Sequence, residues 1–166
     1  MESGKQPVNA EPIEVAPLLA DVRESLNVLA VEKHQTIDLD GAEALMVTAD
    51  RLLLRQALLN IVHNAIRYAP DRSRITVRAS RLNATTIIEV ADEGPGIAPE
   101  DHQKVFDRFY RVDKSRSRAE GGSGLGLAIA KWSILRQGGQ IAVESEIGKG
   151  SVFRIIMPGR PERPVL

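Results

Sequence analysis

Four polar side chains share one face of a helix predicted between Asp50 and Tyr68. Asn60, Asn64 and Arg67 stand at positions i, i+4 and i+7, and Tyr68 lies one step further round. Asparagine is a poor helix former because its amide competes for the backbone, so two within one helix favour a function. An amide oxygen can bind Mg²⁺, and an arginine one turn away can hold phosphate oxygens. For any one asparagine alone, an ordinary solvated face is the alternative.

A second candidate element is the acidic, glycine-rich turn that follows the predicted strand at residues 85–91. It begins at Asp92 and contains Gly94 and Gly96 on either side of a proline. Glycines there allow a tight turn and a close backbone approach, and a carboxylate at a strand end commonly contacts ligands. Asp92 could accept a hydrogen bond from an exocyclic amine such as that of adenine. Taken alone, the stretch is equally typical of a simple Asp-Gly turn.

A third element combines glycines with a helix start. Gly122, Gly124 and Gly126 lead directly into an apolar helix, and such amides with a helix dipole form an anion site. The run is neither a P-loop nor a dinucleotide-binding motif, because the Lys-Ser/Thr ending is missing and position 127 is leucine. A flexible hinge is the alternative.

The charged stretch before these glycines predicts a mobile lid. Residues 112–121 contain too few apolar side chains to be packed, and Arg111, Arg116 and Arg118 could close over phosphates. A disordered loop without a role is the alternative. Just before it, Phe106 and Phe109 are predicted to anchor a short helix in the core.

Composition excludes several classes of protein. The chain has 166 residues and no cysteine, which excludes disulfide frameworks and thiolate metal sites. Its 22 basic and 22 acidic residues leave no net field for nucleic acid or an anionic membrane. No apolar run approaches the ~20 residues of a spanning helix, so we expect a soluble chain without direct membrane insertion. Residues 51–88 hold seven arginines and one acid, which suits a small anionic ligand or a solvated face.

The remaining sequence predicts the scaffold. Helices are expected at residues 17–32, 50–68, 99–110 and 125–137, and strands at residues 36–40, 45–48, 75–80, 85–91, 141–146 and 151–157. Residues 1–12 are interpreted as a leader or linker, 13–158 as one domain and 159–166 as a tail. This order predicts an α+β fold, a two-layer α/β sandwich in which helices cover one face of a mixed, mainly antiparallel sheet.

Four segments in this order resemble the motifs of a known family. LLNIVHNAIRYAP is similar to the N-box, DEGPGI to the G1 box, VFDRFYRVD to the F-box and GGSGLGLAIA to the G2 box of the ATP-binding catalytic domain of sensor histidine kinases. This family belongs to the GHKL ATPase superfamily. The resemblance covers about residues 13–158, and it implies a GHKL-type sandwich that holds ATP beneath a mobile lid.

The resemblance also implies roles for single residues. Asn64 would bind Mg²⁺, Asn60 would line the same site, and Asp92 would accept from the adenine amino group. The other positions that the resemblance assigns to ATP binding are Arg67, Tyr68, Gly94, Gly96, Arg111, Gly122, Gly124, Leu125, Gly126 and Ser151. Related ATPases of the gyrase, MutL and Hsp90 type carry a general-base glutamate where this chain has Asn60. The resemblance therefore implies ATP held for transfer and hydrolysed slowly.

The phosphoacceptor histidine is not found in this sequence, so no catalytic residue is assigned to it. None of His34, His63 and His102 lies in an H-box; His63 is expected to pack, and the other two are expected at the surface. The resemblance implies that the acceptor lies on a separate dimerisation domain, that a response regulator acts downstream, and that the location is cytoplasmic. A nucleotide-binding regulatory module without phosphotransfer and an anti-sigma-type serine kinase are the alternatives.

Overall fold

The structure, a computed structural model, describes residues 7–110 and 124–159. Within these residues the α-helices are α1 (Val15–Glu32), α2 (Arg51–Tyr68) and α3 (Gly126–Arg136). Its strands are β1 (Ala10–Glu14), β2 (Thr36–Asp40), β3 (Met46–Asp50), β4 (Arg74–Leu82), β5 (Thr85–Asp92), β6 (Gln140–Glu146) and β7 (Gly150–Met157). None of these helices combines the length and apolar character needed to cross a membrane.

Five strands form the main sheet in the order β2-β4-β5-β7-β6. β2 pairs with β4 in parallel, and the other three pairings are antiparallel. Along β5 the side chains alternate strictly between buried and half-buried, because the helices cover only one face of the sheet. The predicted two-layer sandwich with a mainly antiparallel sheet is confirmed.

Helix α2 lies across the covered face with its apolar stripe fully buried. That stripe consists of Leu54, Leu58, Ile61, Val62 and Ala65, all without exposed surface. Burial of each large aliphatic side chain contributes roughly 2 kcal/mol, so the rotation of the helix about its axis is strongly specified. The predicted N-cap is also confirmed, since the carboxylate of Asp50 accepts a hydrogen bond from the Leu53 amide at 3.1 Å. The opposite, polar face of α2 is thereby directed away from the sheet.

The C-terminal end of α2 is held by two side chains from the α1–β2 connection. The Lys33 ammonium donates to the carbonyl oxygens of Ile66, Arg67 and Ala69 at 2.8 to 3.0 Å. The Gln35 amide donates to the Ile66 and Ala69 carbonyls at 3.0 and 3.1 Å. A cation at this position satisfies the last carbonyls of the helix and complements its dipole. The last turn of α2 is therefore fixed from outside the helix.

Strand β1 is a feature that the sequence did not predict. It begins at Ala10, within the stretch expected to be a leader, and pairs antiparallel with β3. Ile13 is its only buried residue, so the strand has too little apolar alternation to be recognised. Tertiary pairing, not local pattern, creates it.

The segment at residues 99–110 differs from the predicted helix. It contains two 3₁₀ turns, Pro99–Asp101 and Lys104–Phe106. Phe106 is buried and packs edge-to-face on Phe153 at 6.0 Å, as expected of a core anchor. The same expectation was wrong for Phe109, which is 68% exposed. Its amide donates to the Gly124 carbonyl at 2.9 Å and its φ is +64°, so the backbone turns the side chain outward.

Candidate functional site

Asp92 closes β5 as a buried carboxylate on the helix-covered face. Only 9% of it is exposed, and its Oδ1 accepts a hydrogen bond from the Gly94 amide at 2.8 Å. Burial raises the pKa of Asp92 above its ordinary value, although the amides of Gly94 and Ser151 act in the opposite direction. The carboxylate is therefore held in place while its desolvation is not fully compensated. A hydrogen-bond donor on a ligand would offset that cost.

Gly94 connects this carboxylate to the end of α2. A Cβ at position 94 would lie 2.8 Å from Asp92 Oδ1 and 3.2 Å from the carbonyl oxygen of Tyr68. The turn after β5 and the last residue of α2 are thus in contact, and only glycine fits between them. Two regions that are distant in the sequence meet here.

Gly96 brings the same turn against the β6–β7 connection. Its φ is +80°, and a Cβ would lie 2.1 Å from the carbonyl oxygen of Glu146. Gly148 donates its amide to the Pro95 carbonyl at 2.8 Å, which adds a second link between the two loops. These backbone contacts hold the turn against the β6–β7 connection.

Ser151 and Ser145 extend the polar cluster across two more strands. Ser151 lies opposite Asp92 in the β5–β7 pairing and opposite Ser145 in the β6–β7 pairing. The hydroxyl oxygens of the two serines are 2.7 Å apart, and the Ile97 amide donates to Ser145 Oγ at 2.7 Å. Ser145 is not among the site residues predicted from the sequence. The alternation in β6 indicates its inward position, because Ile141 and Val143 precede it at alternate residues.

The polar face of α2 carries the remaining helix candidates. Asn60, Asn64 and Arg67 are half-buried, and Tyr68 is 40% exposed. The Arg67 guanidinium lies 5.8 Å from the centre of the Tyr68 ring. With a rise of about 1.5 Å per residue, Asn60 and Tyr68 are ~12 Å apart along the helix axis. The face therefore runs from the Asp92 cluster toward the start of α3.

Asn60 contacts the start of α3 and carries an unpaired donor. A Cβ at Gly126 would lie 4.0 Å from the Asn60 Cβ, so the two helices approach closely there. Asn60 Oδ1 accepts from Gln56 at 3.4 Å, whereas its Nδ2 is buried and finds no acceptor within residues 7–110 and 124–159. A buried amide without an acceptor costs roughly 1–3 kcal/mol. An anionic oxygen of a ligand would suit this donor.

Gly124 and Leu125 lie between the 99–110 segment and α3. Gly124 has φ +75°, and a Cβ there would lie 2.8 Å from Phe109 Cα. The carbonyl of half-buried Leu125 accepts from Ile129 at 2.9 Å. Two other predicted ligands, Arg111 and Gly122, lie outside the described residues. The structure thus joins Asp92, Gly94, Tyr68 and Ser151 in one cluster and places Asn60 beside Gly126 in another, with Asn64 and Arg67 on the helix between them.

Two of the three histidines occupy environments different from those expected. His63, which was expected to pack, is exposed on α2, because the buried stripe of the helix lies on its other side. His102, which was expected at the surface, is half-buried and its ring Nε2 lies 2.9 Å from the Ile97 carbonyl. His34 is exposed, as expected.

Comparison with known proteins adds independent observations. The sensor-like histidine kinase SenX3 of Mycobacterium tuberculosis is 41% identical over 150 residues, which cover 90% of this chain and 37% of SenX3. The chain thus spans little more than a third of the length of this curated relative. Full-length ShkA in complex with AMPPNP superposes with a TM-score of 0.82 at 29% identity, over 98% of this chain and 34% of that one.

Two structures of histidine kinase ThkA match as well. The isolated catalytic domain of ThkA gives a TM-score of 0.80 at 26% identity, over 93% of this chain and 98% of that one. ThkA in complex with the response regulator protein TrrA gives a TM-score of 0.78 at 25% identity, over 97% of this chain and 45% of that one. The sequence pattern of the histidine kinase-, DNA gyrase B- and HSP90-like ATPases matches residues 49–161, about two thirds of the chain. The chain therefore belongs to this ATPase family, as its four ordered motifs indicated.

Proposed function

We propose that this chain is the catalytic domain of a two-component sensor histidine kinase. It binds ATP with Mg²⁺ and donates the γ-phosphate to a histidine on a separate dimerisation and phosphoacceptor domain. The observation that carries the proposal is the arrangement of polar groups along α2. One end of the helix lies against the buried carboxylate cluster. The other end carries the Asn60 amide, which has no acceptor among the described residues and lies beside a helix that begins with glycine. One end suits a base and the other suits phosphates.

The base end of the site consists of Asp92, Gly94, Gly96 and Ser151. Asp92 would accept a hydrogen bond from the purine amine, which would offset the burial that raises its pKa. Gly94 and Gly96 would shape this pocket by letting the turn pack closely against Tyr68 and Glu146, because neither position tolerates a side chain. Tyr68, whose carbonyl contacts this turn, would pack beside the base.

The phosphate end consists of Asn60, Asn64 and Gly126. The Asn60 amide would donate to a phosphate oxygen, and the Asn64 carbonyl oxygen would hold the metal. Within the described residues no three His, Asp or Glu side chains form a metal cage, so a cation at Asn64 needs further ligands from the nucleotide and water. Bound Mg²⁺ supplies charge neutralisation on the phosphates. Arg67 and Arg111 would add positive charge, and the backbone amides of Gly122 and Gly124 would donate to phosphate oxygens.

Residue 60 also bears on the fate of the phosphate. An amide cannot take a proton from water as a carboxylate would, so hydrolysis should be slow and ATP should persist for transfer. Transfer then depends mainly on positioning and charge neutralisation, with the acceptor histidine supplied by another domain. We propose a response regulator as the downstream partner, in line with the ThkA–TrrA complex. Because ATP is the donor, we place the domain in the cytoplasm.

Calorimetric titration with Mg-ATP tests the binding step. Wild-type chain should bind ATP, whereas Asp92→Asn and Asn64→Ala should abolish measurable binding. Asn27→Ala on the exposed side of α1 and Asp71→Asn in the exposed turn after α2 are matched controls and should bind normally. Absence of nucleotide binding by the intact wild-type chain would refute the proposal.

Labelled ATP with a histidine-containing dimerisation domain tests the transfer step. The proposal expects label on the acceptor histidine of the added domain. Label on a partner serine would indicate an anti-sigma-type kinase. Binding without any transfer would indicate a regulatory module of the same fold.

A further inference from the structure

Ser145 lies at the centre of a hydrogen-bond cluster, and its hydroxyl has only one proton to donate. Its Oγ lies 2.8 Å from the carbonyl oxygen of Gly150, which can only accept. The amide of Ile97 donates to the same Oγ at 2.7 Å. The third neighbour is the hydroxyl of Ser151 at 2.7 Å. Because the Ser145 proton goes to Gly150, the bond between the two serines must use the proton of Ser151.

This assignment decides where the Ser151 hydroxyl points. Ser151 is buried and lies directly across from Asp92 in the β5–β7 pairing, so their Cβ atoms are about 5 Å apart. A serine hydroxyl so close to a buried carboxylate would ordinarily donate to it, because charge-assisted hydrogen bonds are the stronger ones. Here Ser145 accepts that proton instead. Among the residues that the structure describes, the Asp92 carboxylate then accepts only from the backbone amides of Gly94 and Ser151.

We propose that Ser145 is a specificity-determining positioning residue: by accepting the Ser151 proton, it keeps the Asp92 carboxylate open to a purine that carries an amino group at position 6. This inference rests on the proposed function. Ser145 need not touch the nucleotide, and it acts through the hydroxyl of Ser151. Without it, the Ser151 hydroxyl turns to Asp92 and occupies the oxygen that the purine amine needs.

The chemical consequence is discrimination between a 6-amino and a 6-oxo purine. An open carboxylate accepts from an amine and repels a carbonyl oxygen, so a 6-oxo base is rejected. If the Ser151 hydroxyl donates to Asp92, the carboxylate gains less from the purine amine. The same hydroxyl can instead donate to the carbonyl of a 6-oxo purine. Loss of Ser145 should therefore weaken the preference itself, in addition to any general loss of affinity from the freed Ile97 amide.

The experiment compares dissociation constants for Mg-ATP and Mg-inosine triphosphate by calorimetry on the whole chain. The two bases differ in the group at position 6 and in the proton that the 6-oxo base carries on N1. Ser145→Ala should reduce the ATP preference about tenfold, the effect of one charged hydrogen bond. Ser145→Thr retains the hydroxyl and should retain the preference. The double variant Ser145→Ala/Ser151→Ala also removes the Ser151 hydroxyl that would otherwise turn to Asp92. It should recover the preference for ATP over inosine triphosphate, whatever its absolute affinity.

The outcomes separate this inference from the proposed function. If Ser145→Ala weakens both nucleotides equally, or if the double variant does not recover the preference, Ser145 only supports the Ile97 loop and the inference is overturned. If the wild-type chain binds neither nucleotide, the proposed function itself fails. Thermal unfolding of each variant shows whether it is folded, and the preference is a ratio that partial unfolding leaves unchanged.

Discussion

Backbone contacts position the turn at the base end of the candidate site, whereas the phosphate end lies where two helices approach each other. At Gly94 and Gly96 the neighbouring atoms include the carbonyl oxygens of Tyr68 and Glu146, which belong to distant parts of the chain. At the phosphate end, Asn60 approaches Gly126 only at van der Waals distance, and its buried amide has no acceptor in the described part of the chain. At the base end the loops are held by contacts within the chain, whereas at the phosphate end the described residues leave the Asn60 donor without an acceptor.

This difference suggests a division of labour. A preformed base end selects the ligand with little reorganisation, since its donors and acceptors are already fixed by the sheet. The phosphate end gains most when an anion arrives, because binding then satisfies a donor that otherwise remains buried and unpaired. Selectivity should therefore reside in the sheet, and the dependence on charge should reside in the helices.

The largest expected effect comes from adding one methyl group to the base end. Gly96→Ala places a Cβ 2.1 Å from the Glu146 carbonyl at a φ of +80°, so the turn must move. Gly148→Ala is the matched control, since its φ is +83° but nothing lies within 4 Å. We expect a loss of at least about 3 kcal/mol in unfolding free energy for Gly96→Ala and about 1 kcal/mol for Gly148→Ala, measured by urea denaturation. Equal losses would show that the contact with Glu146 is unimportant.

A ligand series separates the two ends of the site. Asp92→Asn should weaken ATP and adenosine alike, by about a hundredfold, because both ligands present the same amine to the base end. Asn60→Ala should weaken ATP about tenfold and leave adenosine unchanged, because adenosine has no phosphate. NMR titration with both ligands measures the difference. Should Asn60→Ala weaken adenosine as much as ATP, the division between the two ends would be wrong.

Much of the scaffold could be predicted because its signals are local. Helix α2 combines an N-cap at Asp50, an apolar stripe and a stop at Pro70, and all three signals lie within about twenty residues. The β4–β5 hairpin alternates regularly around a short turn, so its existence follows from period and turn chemistry. For the candidate site, the four ordered motifs predicted which residues belong to it, and the structure places two of them, Gly94 and Tyr68, in contact.

The features that could not be predicted depend on distant partners. Strand β1 exists because β3 offers an edge, and Phe109 points outward because its amide is bound to Gly124. Ser145 was missed because the alternation in β6 indicates only that its side chain points inward, and does not identify the groups that it contacts. Its importance appears only when its neighbours on β7 and in the Ile97 loop are in place.

The capping of α2 should support the base end more than the phosphate end. Lys33→Met removes the ammonium that donates to three carbonyls at the last turn, while it retains the aliphatic chain. We expect a loss of about 1–2 kcal/mol in unfolding free energy and weaker binding of adenosine, since the Tyr68 carbonyl contacts Gly94. Lys149→Met is the control, because that lysine is 72% exposed in its ion pair and should change stability by less than about 0.5 kcal/mol. Similar losses in both variants would argue against a capping role.

The smallest expected effect is a pH dependence that belongs to the base end alone. Burial raises the pKa of Asp92 above its ordinary value of 3.8, so the folded state holds this proton more tightly than the unfolded state does. The stability that the protonated group contributes is fully present below pH 3.8 and is lost as the pH rises through its pKa in the folded protein.

Asp92→Asn has no such titration, so its stability relative to wild type should increase over this rise in pH. Urea unfolding of both proteins from acid to neutral pH measures this change. Since a purine amine would hydrogen-bond to the ionised form, saturating ATP should reduce the destabilisation of wild type at neutral pH. If the difference in stability between Asp92→Asn and wild type stays constant with pH, the buried carboxylate is already fully compensated without a ligand. The base end would then gain nothing from a further hydrogen-bond donor, and it would have no reason to prefer a purine amine over a carbonyl.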